Sequence, residues 1–217
     1  GTSVTFNITV NPRPNIHLSV SSRTICSGSN TNVSLSSSTI GATYSWIVYS
    51  MTGAITGASN GAGNLLNQTL YNNAVTTGTV VYQLTAFAKD CEGAKVNFTV
   101  TVYPEVSATI SGATTVCEND PAPPITFTAS GGSEPYTFTY NINGGANQQV
   151  TVNSGNTTTV SASTGTDGTF NYNLVSVSGS TGCVYPQTGT EAIIVNPMPN
   201  LTSLLTPPGI CSNEVFN

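Results

Sequence analysis

The sequence predicts an all-β chain of tandem antiparallel β-sandwiches arranged as an elongated rod. Three observations carry that reading. The first is a repeat. Val4-Thr5-Phe6-Asn7-Ile8-Thr9-Val10-Asn11-Pro12 returns 92 residues later as Val96-Asn97-Phe98-Thr99-Val100-Thr101-Val102-Tyr103-Pro104, and more weakly as Ala192-Ile193-Ile194-Val195-Asn196-Pro197. An internal period marks a modular array. The second is period-two alternation of apolar and polar residues, with no helical periodicity anywhere. The third is the cysteine spacing: Cys26 to Cys117 is 91 residues, Cys117 to Cys211 is 94, and Cys91 to Cys183 is 92.

The period divides the 217 residues into a last strand of a preceding module (1–12), two complete modules (13–104 and 105–197) and the start of a following one (198–217). On this reading the chain is a slice of a longer tandem protein, so a missing signal peptide says nothing about location.

In the first module Ile16, Leu18 and Val20 alternate, which turns His17 outward. Further strands are expected over 32–37, 42–50, 64–70, 78–88 and 95–103, the last with Val96, Phe98, Val100 and Val102 on one face. In the second module Val106, Ala108 and Ile110 repeat the opening pattern. Strands follow over 124–130, 135–142, 148–153, 157–163, 168–178 and 190–195. Asn143-Gly144-Gly145 is the clearest hairpin turn. Seven short strands per module favour a two-sheet sandwich of immunoglobulin type.

Two internal alignments place core aromatics. Tyr44-Ser45-Trp46 matches Tyr136-Thr137-Phe138, which puts Trp46 and Phe138 in the core of the third strand. Gly78-Thr79-Val80-Val81-Tyr82-Gln83-Leu84 matches Gly168-Thr169-Phe170-Asn171-Tyr172-Asn173-Leu174. Tyr82 and Tyr172 are read as tyrosine corners, with ordinary core tyrosines as the alternative. The joints Asn11-Pro12-Arg13-Pro14, Tyr103-Pro104-Glu105 and Asn196-Pro197-Met198-Pro199 carry prolines that end strands and stiffen the links.

The cysteines predict one disulfide per module, Cys26–Cys91 and Cys117–Cys183, with Cys211 left over. Even spacing without CxxC or nearby histidines reads as disulfides in an oxidising compartment. The alternative is unpaired buried cysteines. Each bond would contribute ~4 kcal/mol in the chain-entropy model. In a plain sandwich the A–B and F–G turns lie at opposite ends. The pairing therefore requires each first strand to break, near Ser21-Ser22 and Ser111-Gly112, and carry its cysteine across.

Charged residues are 6% of the chain and net charge is -5, with Arg13, Arg23, Lys89 and Lys95 the only lysines and arginines. So few cations argue against nucleic acid as a partner, because binding it needs a basic patch to neutralise phosphates. The same balance argues against attraction to anionic lipid. No apolar run approaches the roughly 18 residues that span a bilayer.

Chemistry is sparse. His17 is the only histidine, so no multi-His metal site can be built on this sequence, and a His-based triad would have to be built on that one exposed ring. Glu118 with Asp120 and Asp90 with Glu92 are the close carboxylate pairs. Calcium at either pair is the functional alternative to solvated loop charge, and it would need six to eight oxygens. Gly61-Ala62-Gly63 is read as turn glycine. Six N-x-S/T sequons (Asn7, Asn32, Asn67, Asn97, Asn156 and Asn200) arise by chance in so Asn-, Ser- and Thr-rich a chain. Tyr49 and Tyr71 are the aromatics that could stack on sugar rings. No catalytic residue, cofactor or metal is assigned.

The joint V-x-P, then Ile25-Cys26-Ser27-Gly28-Ser29, the third-strand aromatic, G-T-x-x-Y-x-L and Cys91 together resemble PKD-like, immunoglobulin-related repeats of giant Bacteroidetes surface proteins. In the second module, residues 116–120, 136–148 and 169–177 are similar to repeats of SprB-type gliding-motility adhesins. The W-x-F-G-D-G segment of ordinary PKD domains is missing. The resemblance implies type IX export, display on the outer surface, and a part in adhesion or gliding. Its partners would be neighbouring repeats of the same chain, with surface polysaccharide or the gliding and secretion machinery beyond them. A stalk segment of a surface adhesin is the leading expectation. Carbohydrate-binding modules, favoured by an aromatic platform on one sheet face, and accessory modules of a secreted enzyme are the alternatives.

Overall fold

The computed structural model describes residues 1–200. Cys211 and residues 201–217 of the expected following module lie outside the described residues. Among the described residues every regular element is a strand.

In chain order the first sandwich comprises β1 (His17–Leu18), β2 (Ser22–Cys26), β3 (Ser29–Asn30), β4 (Val33–Ser36), β5 (Thr43–Thr52), β6 (Ile55–Thr56), β7 (Gly61–Ala62), β8 (Leu65–Leu66), β9 (Thr69–Asn72), β10 (Gly78–Ala88), β11 (Cys91–Glu92) and β12 (Val96–Tyr103). The larger sheet runs β2-β12-β10-β5-β7, with β11 beside β10. The smaller layer is β1-β4-β8 together with β3-β9-β6. Alternation puts Phe98, Val100 and Val102 of β12 inward, where they are fully buried. They meet Val80, Tyr82 and Leu84 of β10 and Val33, Leu35, Leu66 and Leu70 of the smaller layer. Asn97, Thr99 and Thr101 take the other face, which is the half-buried pattern a period of two produces.

The second sandwich repeats this plan with β13 (Ser107–Ser111), β14 (Thr114–Cys117), β15 (Pro124–Ser130), β16 (Tyr136–Ile142), β17 (Gln148–Val152), β18 (Thr157–Ser161), β19 (Gly168–Ser178), β20 (Val184–Pro186) and β21 (Thr190–Asn196). Its sheets are β14-β21-β19-β16-β17, with β20 beside β19, and β13-β15-β18. The core is more aromatic. Phe127 lies 5.6 Å from Phe138 and 5.1 Å from Tyr140 by ring centroids, and Tyr140 stacks on Tyr172 at 6.3 Å.

Each first strand is broken and changes sheet. β1 pairs antiparallel with β4, the chain crosses at 19–21, and β2 then runs parallel to β12. In the second sandwich β13 pairs with β15, the crossing is Gly112-Ala113, and β14 runs parallel to β21. Gly112 adopts φ +131°, and a side chain there would strike the Pro124 carbonyl, so the crossing needs a glycine.

Residues Val4–Val10, expected as the last strand of a preceding module, join no sheet of the described chain. Val4, Phe6, Ile8 and Val10 are 76–86% exposed.

Candidate functional site: the joint between the sandwiches

The chain's covalent chemistry lies where the sandwiches meet. Cys26 is bonded to Cys183, 157 residues away, with the Cα atoms 5.7 Å apart. Cys91 and Cys117 are free thiols. The expected pairs Cys26–Cys91 and Cys117–Cys183 are therefore wrong, and the sheet geometry explains why. The break in the first strand is present, but it moves β2 to the other sheet without reversing its direction. Because β2 is parallel to β12, Cys26 ends up opposite Tyr103, at the finish of β12. Cys91 sits ahead of Val96, where β12 starts. The seven steps from Val96 to Tyr103 span about 23 Å at ~3.3 Å each. A disulfide bridges Cα atoms only about 4.4–6.8 Å apart. The same holds for Cys117, opposite Asn196 at the finish of β21, and Cys183, ahead of the start of β21 at Thr190. Each module thus holds its two cysteines at opposite ends. The finishing end of the first sandwich meets the turn after β19 in the second, and there the thiols of different modules come together.

Other groups reinforce the joint. The Tyr185 hydroxyl donates to the Pro104 carbonyl at 3.0 Å, and its ring is buried. The Ala108 N–H donates to Gln187 Oε1 at 3.0 Å. Cys26 and Tyr103 of the first sandwich pack against the core of the second. Asn72, almost fully buried, donates from Nδ2 to the carbonyls of Thr76 and Val102, both at 2.9 Å, and accepts from the Ala74 N–H. It fixes the end of the first sandwich that receives the second. Two shallow grooves flank the joint. One, of about 300 Å³, includes Asn73, Val75, Glu105 and Ser130; the other, of about 270 Å³, includes Thr76, Pro104, Ser133 and Thr181. Glu105 is the only ionisable group in either lining, so neither groove offers paired acid and base.

The four predicted core aromatics are buried. Trp46 lies in β5 opposite Gly61 of β7, and a Cβ on Gly61 would come within 2.6 Å of the indole. Gly61 is therefore the seat of that ring, a role that its reading as turn glycine missed. Trp46 Nε1 is buried without a hydrogen-bond partner. Tyr82 donates its hydroxyl to Gln68 Oε1 at 2.7 Å. A tyrosine corner bonds backbone, so Tyr82 is a core tyrosine held by a side chain. Burial pushes its phenol up to about 12. Tyr172 is raised chiefly by burial and also by the adjacent Tyr140 phenol, while a backbone hydrogen bond at Ser163 opposes the shift.

The remaining sites have local roles. Asp120 Oδ2 accepts the Cys117 N–H at 2.8 Å and closes its own turn. Glu92 presents its backbone carbonyl to Arg13 Nε at 3.0 Å. His17 Nε2 lies 2.9 Å from Asn15 Nδ2 on the surface. Among the described residues no three His, Cys, Asp or Glu side chains gather as a metal site would need. Tyr49 and Tyr71 belong to different sheets, β5 in the larger and β9 in the smaller layer, so they form no common platform. Tyr49 is the extra residue where the register of β5 on β10 shifts, which leaves it unpaired and exposed.

Residues 23–106 match the model of the PKD-like domain family. That interval opens within β2 and closes just past Pro104. No curated protein matches the chain. Among solved structures, the chain resembles the fibronectin(III)-like modules of Clostridium thermocellum CbhA (14% identity, 85% of this chain, 94% of that one, TM-score 0.37). It also resembles the titin domains I67–I69 (10% identity, 86% and 66%, TM-score 0.40). A third is a 1.5-MDa bacterial ice-binding adhesin (13% identity, 87% and 67%, TM-score 0.37). The architecture itself stands on the ladders of this chain.

Proposed function

We propose that this chain is a structural repeat segment of a long, extracellular bacterial adhesin, a stalk that holds a binding element away from the cell. The observation that carries the reading is the covalent joint: consecutive modules are bonded to each other through Cys26 and Cys183. A disulfide spent between modules fixes their relation, which is what a spacer needs. The PKD-like match over residues 23–106 supports it. The modules lie end to end as a rod, anchored through the outer membrane. Gliding motility, type IX export and a Bacteroidetes source are the finer form of this proposal, and they rest on the SprB-type resemblance of the second module.

Antibodies against residues 13–197, applied to intact cells, test display. Surface staining that needs no lysis is the expected result, and staining only after lysis would overturn it. Small-angle scattering tests the stalk. Two sandwiches end to end should give a maximum dimension of roughly 70–80 Å, from strands of about ten residues with their turns. A value near roughly 50 Å would mean that the modules fold back on one another.

A further inference from the structure

We infer that Cys91 and Cys117 are the two open halves of the same joint, each made to bond a cysteine of an adjoining repeat in the same chain. The result is an interleaved series of disulfides, one across every junction. The inference rests on the repeat-segment reading, but not on what the protein adheres to.

The repeat maps the observed bond onto both free thiols. Cys183 has Cys91 as its counterpart 92 residues earlier, and Cys26 has Cys117 as its counterpart 91 residues later. The surroundings correspond as well. Cys26 lies opposite Tyr103 in a parallel ladder, and Cys117 lies opposite Asn196 in the matching ladder, exposed. At the other end Cys91 already faces the equivalent of Tyr103. Its Sγ approaches the carbonyl of Asn11 at 4.0 Å, and Asn11 is 92 residues ahead of Tyr103. Residues 11–14 are docked on this turn. Arg13 Nε donates to the Glu92 carbonyl, Asn11 Nδ2 donates to the Lys89 carbonyl at 3.4 Å, and a side chain on Gly93 would run into the Pro14 carbonyl. A first strand paired parallel to residues 7–11, as β2 pairs with β12, would set its own final cysteine beside Cys91.

A second observation specifies the occupant. Val4, Phe6, Ile8 and Val10 are counterparts of Val96, Phe98, Val100 and Val102. Phe98, Val100 and Val102 are fully buried, whereas all four of the earlier set are exposed. Residues 4–10 are thus the inner face of a last strand without its sandwich. A repeat of the same kind would cover that face and deliver a cysteine to Cys91 at once.

Each new bond joins two thiols and releases two protons and two electrons. The electrons reduce a disulfide oxidant, either a thiol–disulfide oxidoreductase or, in the tube, oxidised glutathione.

The test joins two copies in phase, residue 196 of the first followed by residue 12 of the second, and oxidises the product with glutathione disulfide. Alkylation of the unfolded, unreduced single chain should count three thiols, Cys91, Cys117 and Cys211. The doubled chain should also count three, because its new junction consumes the added pair. Peptide mapping without reduction should find Cys117 of the first copy bonded to Cys91 of the second. The Cys26–Cys183 peptide reports that each copy has folded. Two further alkylatable thiols alongside intact Cys26–Cys183 bonds would overturn the inference, as would a Cys91–Cys117 bond within one copy. If the fusion itself folds poorly, concentrated single chains provide the second measurement. Intermolecular Cys117–Cys91 should be their chief mixed disulfide, and random pairing with Cys211 would refute the assignment.

Discussion

At the scale of the residue, Gly61 shows how a core aromatic reaches beyond its own strand. The Trp46 indole sits beside the Gly61 backbone, in space a methyl group would need. Gly61→Ala should cost about 1–3 kcal/mol by overpacking. Chemical denaturation followed by Trp46 fluorescence will read it, and an unchanged midpoint would mean that the ring has room to move. Tyr82 gives a pH signature. Its phenol titrates near 10 when unfolded and at about 12 when folded. A raised folded value means that its contribution to stability is complete below pH 10 and is lost as pH rises through about 12. The first sandwich should therefore weaken from pH 10 upward. Denaturation midpoints taken across that range read the loss, and Tyr82→Phe should flatten the stability slope over that window. These aromatics were legible in the sequence because the two modules align there. Gly61 was not, since nothing in a glycine-rich loop tells which glycine lies under a ring.

At the scale of the element, legibility followed length and exposure. β10, β15 and β19 occupy the intervals that alternation predicts, because long strands with one buried face carry an unambiguous period. The two-residue bridges β3, β6, β7 and β8 carry too few residues to show one. β2 and β14 escaped for another reason. They are edge strands in parallel pairing, β14 mostly exposed and β2 only partly buried, and a pattern such as Ser22-Arg23-Thr24-Ile25-Cys26 does not alternate cleanly. That omission is what misdirected the disulfides. A constant repeat length fits bonds within modules and bonds between them equally well. Only the direction of β2 along β12 separates the two. β2 is held by one ladder and by its terminal sulfur. In Cys26→Ser its amides should exchange with solvent roughly tenfold faster, while those of β10, between two ladders, should not change. Equal acceleration in both strands would show that the bond supports the whole sandwich and not the edge.

At the scale of the whole molecule, the joint alters what pulling on the chain can do. A surface spacer is loaded along its length, and a sandwich under load ordinarily yields by unravelling. Here a pull on the termini is carried from Cys26 straight to Cys183 through a covalent bond, and everything between them stands outside the path of force. Neither sandwich can pay out the loop while the bond is whole. Stretching the oxidised chain should yield only the segments before Cys26 and after Cys183. Once a reductant cuts the bond, a further 157 residues enter the path, about 55 nm of contour at ~3.5 Å per residue. Single-molecule extension with and without reductant reads that length directly, and identical traces would mean that load never passes through the bond. If the chain serves as the proposed spacer, the redox state of its surroundings would thereby set the spacer's length.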